Sequence, residues 1–259
     1  MMRRILEQGV VSVCGVSALY LAGFAVNPAR LYAQEPSSVP ASSNYSLPLD
    51  DLNTVTTSSQ RLNTEAELER LLQQRLAHPE NAEAIDVAIH ETFVERYAVL
   101  VLDSSGFSTL SQEVGIIPAL ADIERMRLVV VPLVEQRGGR VFKLEVDNVY
   151  AVFPSVELAV EVSHEIMVQV ANIDKRVSIG IGFGDLIMIS DGDRYSNVYG
   201  NEMNLASKLG EDVAQADEIM LSEAAFAALD EPAAQWESIN LSVSGLTTGA
   251  YRWRSHRQD

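Results

Sequence analysis

Two aspartates stand where strands give out and chemistry becomes available. Residues 98–102, Ala-Val-Leu-Val-Leu, form a short apolar strand that ends at Asp103 and runs into the turn Ser104-Ser105-Gly106. Residues 140–145 and 149–153 alternate and are rich in Val, Phe and Tyr, with Asp147 and Asn148 between them, which predicts a β-hairpin with an acidic tip. Carboxylates leaving neighbouring strand ends suit a hard divalent cation such as Mg²⁺. Such an ion takes one or two protein carboxylates and completes its octahedron with phosphate oxygens and water. Lys143 on the same hairpin supplies a cation for a base or a phosphate. Taken singly, each aspartate is also an ordinary turn residue, with Asp103 capping the backbone of Ser105 or Gly106. The pair at adjacent strand ends is what points to metal. Glu145, on the same hairpin face as Asp147, is an extra carboxylate with no duty assigned.

The elements that must position these groups follow in a definite order. A strand over 98–103, a helix over 116–136, the hairpin 140–153, a helix over 156–172 and a strand over 177–183 make a β-α-β-β-α-β unit. The first helix shows a stripe of Leu120, Ile123, Val130, Val131 and Val134. This is the ferredoxin-like arrangement of the α+β class, an antiparallel sheet covered by helices on one face. Residues 186–190 extend the sheet and Asp191-Gly192-Asp193 turns the chain. A helix over 202–210, a strand over 218–221, a helix over 223–229 and strands over 236–241 and 250–254 complete the domain. The cluster Gly180-Ile181-Gly182-Phe183-Gly184 opens no helix and sits in no Rossmann unit, so it is not a dinucleotide loop. Its glycines instead predict close passage of a neighbouring backbone.

Three motifs carry a family resemblance. Asp103-Ser104-Ser105-Gly106-Phe107-Ser108 resembles the Asp-x-x-Gly-Phe-Ser/Thr motif of class III adenylate/guanylate cyclase catalytic (cyclase-homology) domains. Gly138-Gly139-Arg140-Val141-Phe142-Lys143 followed by Asp147 looks like their second metal hairpin, and the run from Tyr199 to Lys208 looks like their third motif. Order and spacing match from about residue 98 to 229. The resemblance implies conversion of ATP to 3′,5′-cyclic AMP and pyrophosphate with two Mg²⁺ or Mn²⁺ per site, held by Asp103, Asp147 and the backbone carbonyl of Ser104. One ion would help deprotonate the ribose 3′-hydroxyl and the other would support the triphosphate.

By the same resemblance Lys143 and Asn197 meet the purine, Asn204 the ribose ring, and Lys208 the charge developing on the α-phosphate. Asn204 and Lys208, at i and i+4, share a helical face. The site would be built across a head-to-tail homodimer, the metal ligands from one subunit and the other four residues from its partner. The chain departs from the family pattern in three places. Asn197 replaces an aspartate or threonine, and an amide offers both donor and acceptor, so it suits adenine or guanine. Lys143 favours adenine, since guanylyl cyclases commonly carry glutamate there. Lysine at 208 replaces arginine and gives up the planar fork that grips two oxygens. Ser244-Gly245 falls where the family often has a lysine for the terminal phosphates. These departures support the alternative of a weak or inactive cyclase-homology domain that binds a nucleotide or a protein partner.

The rest of the 259 residues bounds these readings. A net charge of −17 excludes the basic footprint that nucleic-acid binding needs. The only cysteine is Cys14, so the chain holds no disulfide framework, and the four histidines show no metal-ligand spacing. Residues 1–34 carry Arg3 and Arg4, an apolar run and a small residue at Ala33, the pattern of a signal peptide or membrane anchor. That leader predicts a membrane-associated or exported protein, whereas an active cyclase must face cytoplasmic ATP. Residues 35–59 are rich in Ser, Pro, Asn and Thr and read as a flexible linker. Two amphipathic helices are expected within 60–96, one from the capping box at Thr64 to His78-Pro79 with Leu68, Leu71, Leu72 and Leu76 on one face, the other over 82–96. Such helices pair across a dimer or pack on the core. The cyclase-homology domain then spans 97–259.

Overall fold

The computed structural model describes residues 63–192, 194–230, 235–243 and 246–255, all within the compact unit Ser58–Asp259. The leader, the linker and Ser244-Gly245 lie outside the described residues. Among the described residues no helix is long and apolar enough to cross a membrane.

The first helix, α1 (Glu65–Ala77), starts where the sequence predicts it, with the Thr64 hydroxyl accepting from the Glu67 amide. A single 3₁₀ turn at Pro79–Asn81 leads into α2 (Ala82–Phe93). The two helices pack on the core, and only part of the leucine stripe is used: Leu68 and Leu71 are buried with Ile89 and Phe93, while Leu76 remains exposed. Their target is Ile189 and Ile187 on the long strand β4 (Val177–Asp191). Asn63 secures that end by bonding the Ser190 amide and the Met188 carbonyl.

Helix α2 ends at Phe93, earlier than its periodicity suggests, because Val94-Glu95-Arg96-Tyr97 joins β1 (Val94–Ser104) and pairs with residues 184–187 of β4. After β1 come α3 (Phe107–Val114), α4 (Ile116–Gln136), β2 (Arg140–Glu145), β3 (Asn148–Phe153) and α5 (Val156–Ala171). The stretches expected as two strands, 177–183 and 186–190, form the single strand β4. Beyond it lie β5 (Arg194–Tyr199), α6 (Asn201–Ser207), a π-turn at Lys208–Val213, β6 (Glu218–Ser222), α7 (Glu223–Ala227), β7 (Glu237–Val243) and β8 (Leu246–Arg254).

The strands run β2-β3-β1-β4-β6-β8-β7, with β5 pairing β4 off this path. The first four are mutually antiparallel and reproduce the predicted ferredoxin-like core. Pairing of β4 with β6 is parallel. Helices α4 and α5 cover one face, where Ile123, Met126, Val130 and Val134 meet Leu100, Leu102, Ala151 and Phe153. The buried stripe of α4 is therefore 119, 123, 126, 130 and 134, and Leu120 stays exposed.

Helix α6 lies on the opposite face, above alternate glycines of β4. A Cβ at Gly180 would stand 2.2 Å from the Ala206 carbonyl oxygen, and one at Gly182 2.4 Å from that of Glu202. The predicted close backbone approach is thus real, and its partner is the crossover between the two parallel strands. Glu202 fastens the contact, its Oε2 accepting from the Phe183 amide at 3.0 Å and the Ser222 hydroxyl at 2.6 Å. Gly182→Ala should therefore destabilise the fold by about 3 kcal/mol, since the clash is with backbone rather than a movable side chain. Urea unfolding checks this as a lower midpoint at unchanged slope.

Candidate functional site

Residues 99, 101 and 103 of β1 and 148, 150 and 152 of β3 point to the face that carries α6, as the cross-strand pairs Val101↔Tyr150 and Asp103↔Asn148 require. Asp103 therefore ends β1 on that face, beside the hairpin turn that holds Asp147. Ser104, buried on the other side, ties the two strand ends together by donating its amide to the Asp147 carbonyl at 3.2 Å.

Lys143 reaches the same face through a register shift. The ladder between β2 and β3 slips at Phe142, pairing Lys143 with Tyr150 and Arg140 with Val152. Residues three apart on one strand would otherwise point to opposite faces. The Lys143 Nζ lies 5.2 Å from the Tyr150 ring centroid and 2.5 Å from Glu145 Oε2. The extra carboxylate of the hairpin thus has a partner.

Asn197, on β5, donates to the Tyr199 hydroxyl at 2.7 Å and accepts from the Val198 amide at 3.1 Å. Asn204 is exposed on α6, and Lys208 opens the π-turn one helical turn later, ion-paired with Asp212. Lys143, Asn197 and Lys208 thus each have a partner within the chain.

Sequence reasoning overlooked three members of this face. The Asn148 amide donates to the Tyr150 hydroxyl at 3.2 Å, and that hydroxyl donates to Glu211 Oε1 at 3.0 Å. Burial pushes the Tyr150 phenol up to about 12, so it remains a donor at neutral pH. This chain links the strand after Asp147 to the π-turn after Lys208. The signal was present in Asn204, Lys208 and Glu211, a 0, 4, 7 stripe.

The aspartate pair carries uncompensated charge. Burial, then the charge of Asp147, then that of Glu211, pushes the Asp103 carboxyl up to about 6. None of these three carboxylates has an ion-pair partner among the described residues. No set of three or more His, Cys, Asp or Glu side chains converges closely enough among the described residues to hold a metal by itself. A divalent cation nevertheless fits this donor set. It would relieve the repulsion at Asp103 and Asp147 and take its remaining ligands from substrate oxygens and water.

Val146, at the turn beside Asp147, has a φ of 42°, a left-handed conformation that strains a β-branched residue. Arg127 holds the turn by donating to the Val146 carbonyl at 2.6 Å.

A raised Asp103 pKa makes ionisation costly in the fold. The unfolded carboxyl ionises near pH ~4, the folded one at about 6, so the cost grows between these values and is complete above the higher. Without metal at pH 7.5, Asp103→Asn should therefore stabilise the chain by about 1 kcal/mol after allowance for solvent screening, a shift of about 2–4 °C. The gain should vanish below pH ~4, and Mn²⁺ should raise the melting temperature of the parent but not of the variant.

No protein-family model and no characterised protein sequence matches the chain. Solved structures do. Adenylyl cyclase CyaB of P. aeruginosa aligns at 19% identity over 64% of this chain and 98% of its own, with a TM-score of 0.53. An adenylate/guanylate cyclase/hydrolase from Silicibacter pomeroyi aligns at 21% identity over 62% and 99%, also with 0.53. The guanylate cyclase domain of RhGC from Catenaria anguillulae, solved with GTP, gives 15%, 62%, 98% and 0.51. Together with the strand order and the place of α6, these matches establish that the chain folds as a class III nucleotidyl cyclase catalytic domain.

Proposed function

We propose that this domain is a nucleotidyl cyclase that converts ATP to 3′,5′-cyclic AMP and pyrophosphate. The observation that carries this reading is the uncompensated pair Asp103 and Asp147, joined at neighbouring strand ends on the face that also bears Lys143, Asn204 and Lys208. Mg²⁺ or Mn²⁺, two per site, would neutralise the triphosphate and activate the ribose 3′-hydroxyl when bound. Asp103, Asp147 and the Ser104 carbonyl hold the ions. Lys143 and Asn197 read the purine edge, and the amide at 197 turns to match it. Asn204 orients the ribose, and Lys208 leaves Asp212 to meet the α-phosphate. The charged groups divide between two subunits of a head-to-tail homodimer, so two copies complete two sites.

A second reading, a nucleotide-binding or protein-interaction module without turnover, is favoured by one specific observation. Lys208 lacks the arginine fork and is already held by Asp212. Incubation of the full-length protein with ATP or GTP and Mn²⁺, with cyclic nucleotide scored by mass spectrometry, separates the two. Cyclic AMP should form from ATP and fall at least about a thousandfold with Asp103→Ala, while Lys208→Arg should raise turnover about tenfold. Nucleotide binding without product from parent and Lys208→Arg alike would establish the module instead.

A further inference from the structure

In this acidic chain, nearly every described arginine is engaged by a carboxylate. Among the described residues two are not, Arg140 and Arg194. Both line the same cleft, a space of about 290 Å³ between the start of β2, the start of β5 and the last turn of α4. Tyr195 lines it too, with the Arg140 guanidinium 5.3 Å from the ring centroid. Glu135 lines the cleft as well and pairs with neither arginine.

Two guanidinium groups without an ion-pair partner among the described residues, in a chain of net charge −17, are an electrostatic exception. Their separate origins matter. One guanidinium fork saturates a planar carboxylate, whereas two forks from different strands can grip a tetrahedral group from two sides. The volume lies at the lower edge of small-molecule sites, roughly 300–1,000 Å³. We propose that this cleft binds a small phosphate-bearing anion, a diphosphate or phosphate monoester, gripped by Arg140 and Arg194 over Tyr195.

The placement gives such a ligand a consequence. Strands β2 and β5 are not hydrogen-bonded to each other in the sheet. The Tyr195 ring spans the gap, packing edge-on against Tyr97 of β1 at 6.2 Å on its way to Arg140. Lys143 follows Arg140 by three residues, and Asn197 follows Arg194 by three. An anion bridging the arginines therefore sets the spacing of the pair that reads the purine. This consequence rests on the cyclase reading, and the binding itself does not.

The test is calorimetric titration of the full-length protein with inorganic pyrophosphate in EDTA. It uses an Asp103→Ala, Lys208→Ala background, which removes the groups that would hold phosphate at the cyclase site. Saturable binding is expected, weakened at least about tenfold by Arg140→Gln or by Arg194→Gln and abolished in the double variant. Arg137→Gln, which disturbs an arginine paired with Glu165 outside the cleft, should leave it unchanged. Both cleft arginines are exposed, so melting temperatures should confirm that the variants fold. Absent binding, binding indifferent to the two substitutions, or equal binding of citrate would overturn the proposal. So would a double variant that converts a dimer to a monomer in sedimentation while pyrophosphate has no effect on the parent, since the arginines would then serve a second copy. If pyrophosphate binds as expected but no cyclic nucleotide ever forms, the cyclase reading fails and the anion site stands.

Discussion

Close contact between α6 and the glycines of β4 sets the geometry of everything on that face. Side chains at 180 and 182 would hold the helix off the sheet by the depth of a methyl group, and the carbonyls of Glu202 and Ala206 leave no room for one. Because α6 forms the crossover between two parallel strands, its side of the sheet also follows from the right-handedness of such connections. The Glu202 carboxylate then joins β4 to the end of β6 through one half-buried acceptor. Backbone contact, crossover handedness and one shared carboxylate thus hold Asn204 and Lys208 over the same face as Asp103.

Charge is distributed on a different principle from packing. Carboxylates that the fold draws inward are balanced: the buried Glu218 receives Arg254, and Asp122 receives both Arg125 and Lys175. Balance fails around Asp103, where Asp147 and Glu211 add charge of the same sign, and at Arg140 and Arg194, which form no ion pair among the described residues. Asp103 and Arg140 lie on the α6 face, whereas Arg194, opposite Asp191 in the β4 ladder, sits in register with the face of Ile189. At both places like charges gather without a counter-ion among the described residues, and a bound ligand would relieve that cost.

Much of this was legible in the sequence, for reasons that can be traced to particular residues. Long periodic elements such as α4 and α5 were readable, and so was the hairpin, since its two strands alternate around Asp147-Asn148. Residues 94–96 read as helix because Ile85, Ile89 and Phe93 set up a helical period; their pairing with β4 is a tertiary preference that outweighs it. Helix α3 is only two turns long and opens at Gly106, with a φ of 93°, so it offers too little pattern to detect. The strand β5 owes its existence to the far end of β4. Most instructive is Phe142. The register shift there brings Arg140 and Lys143 to one face, and no local signal predicts it, because a bulge is decided by what the partner strand offers. Glu211 and Tyr150 were missed for a related reason: their bond crosses from sheet to π-turn, and sequence spacing carries no record of it.

The internal partners of Lys143, Asn197 and Lys208 change what recognition means for this protein. A preformed site with bare cations gains its attraction in full as the ligand arrives. On the proposed cyclase reading, Lys143 would have to part from Glu145 and Lys208 from Asp212, and the Asn197 amide would have to give up its bond to Tyr199. Binding is then an exchange of partners. Its net yield is the difference between two similar interactions, and added salt weakens the internal ion pairs along with the ligand's own. The chain would therefore discriminate by how well a ligand replaces those internal partners, at the expense of the bare electrostatic pull that draws in any polyphosphate.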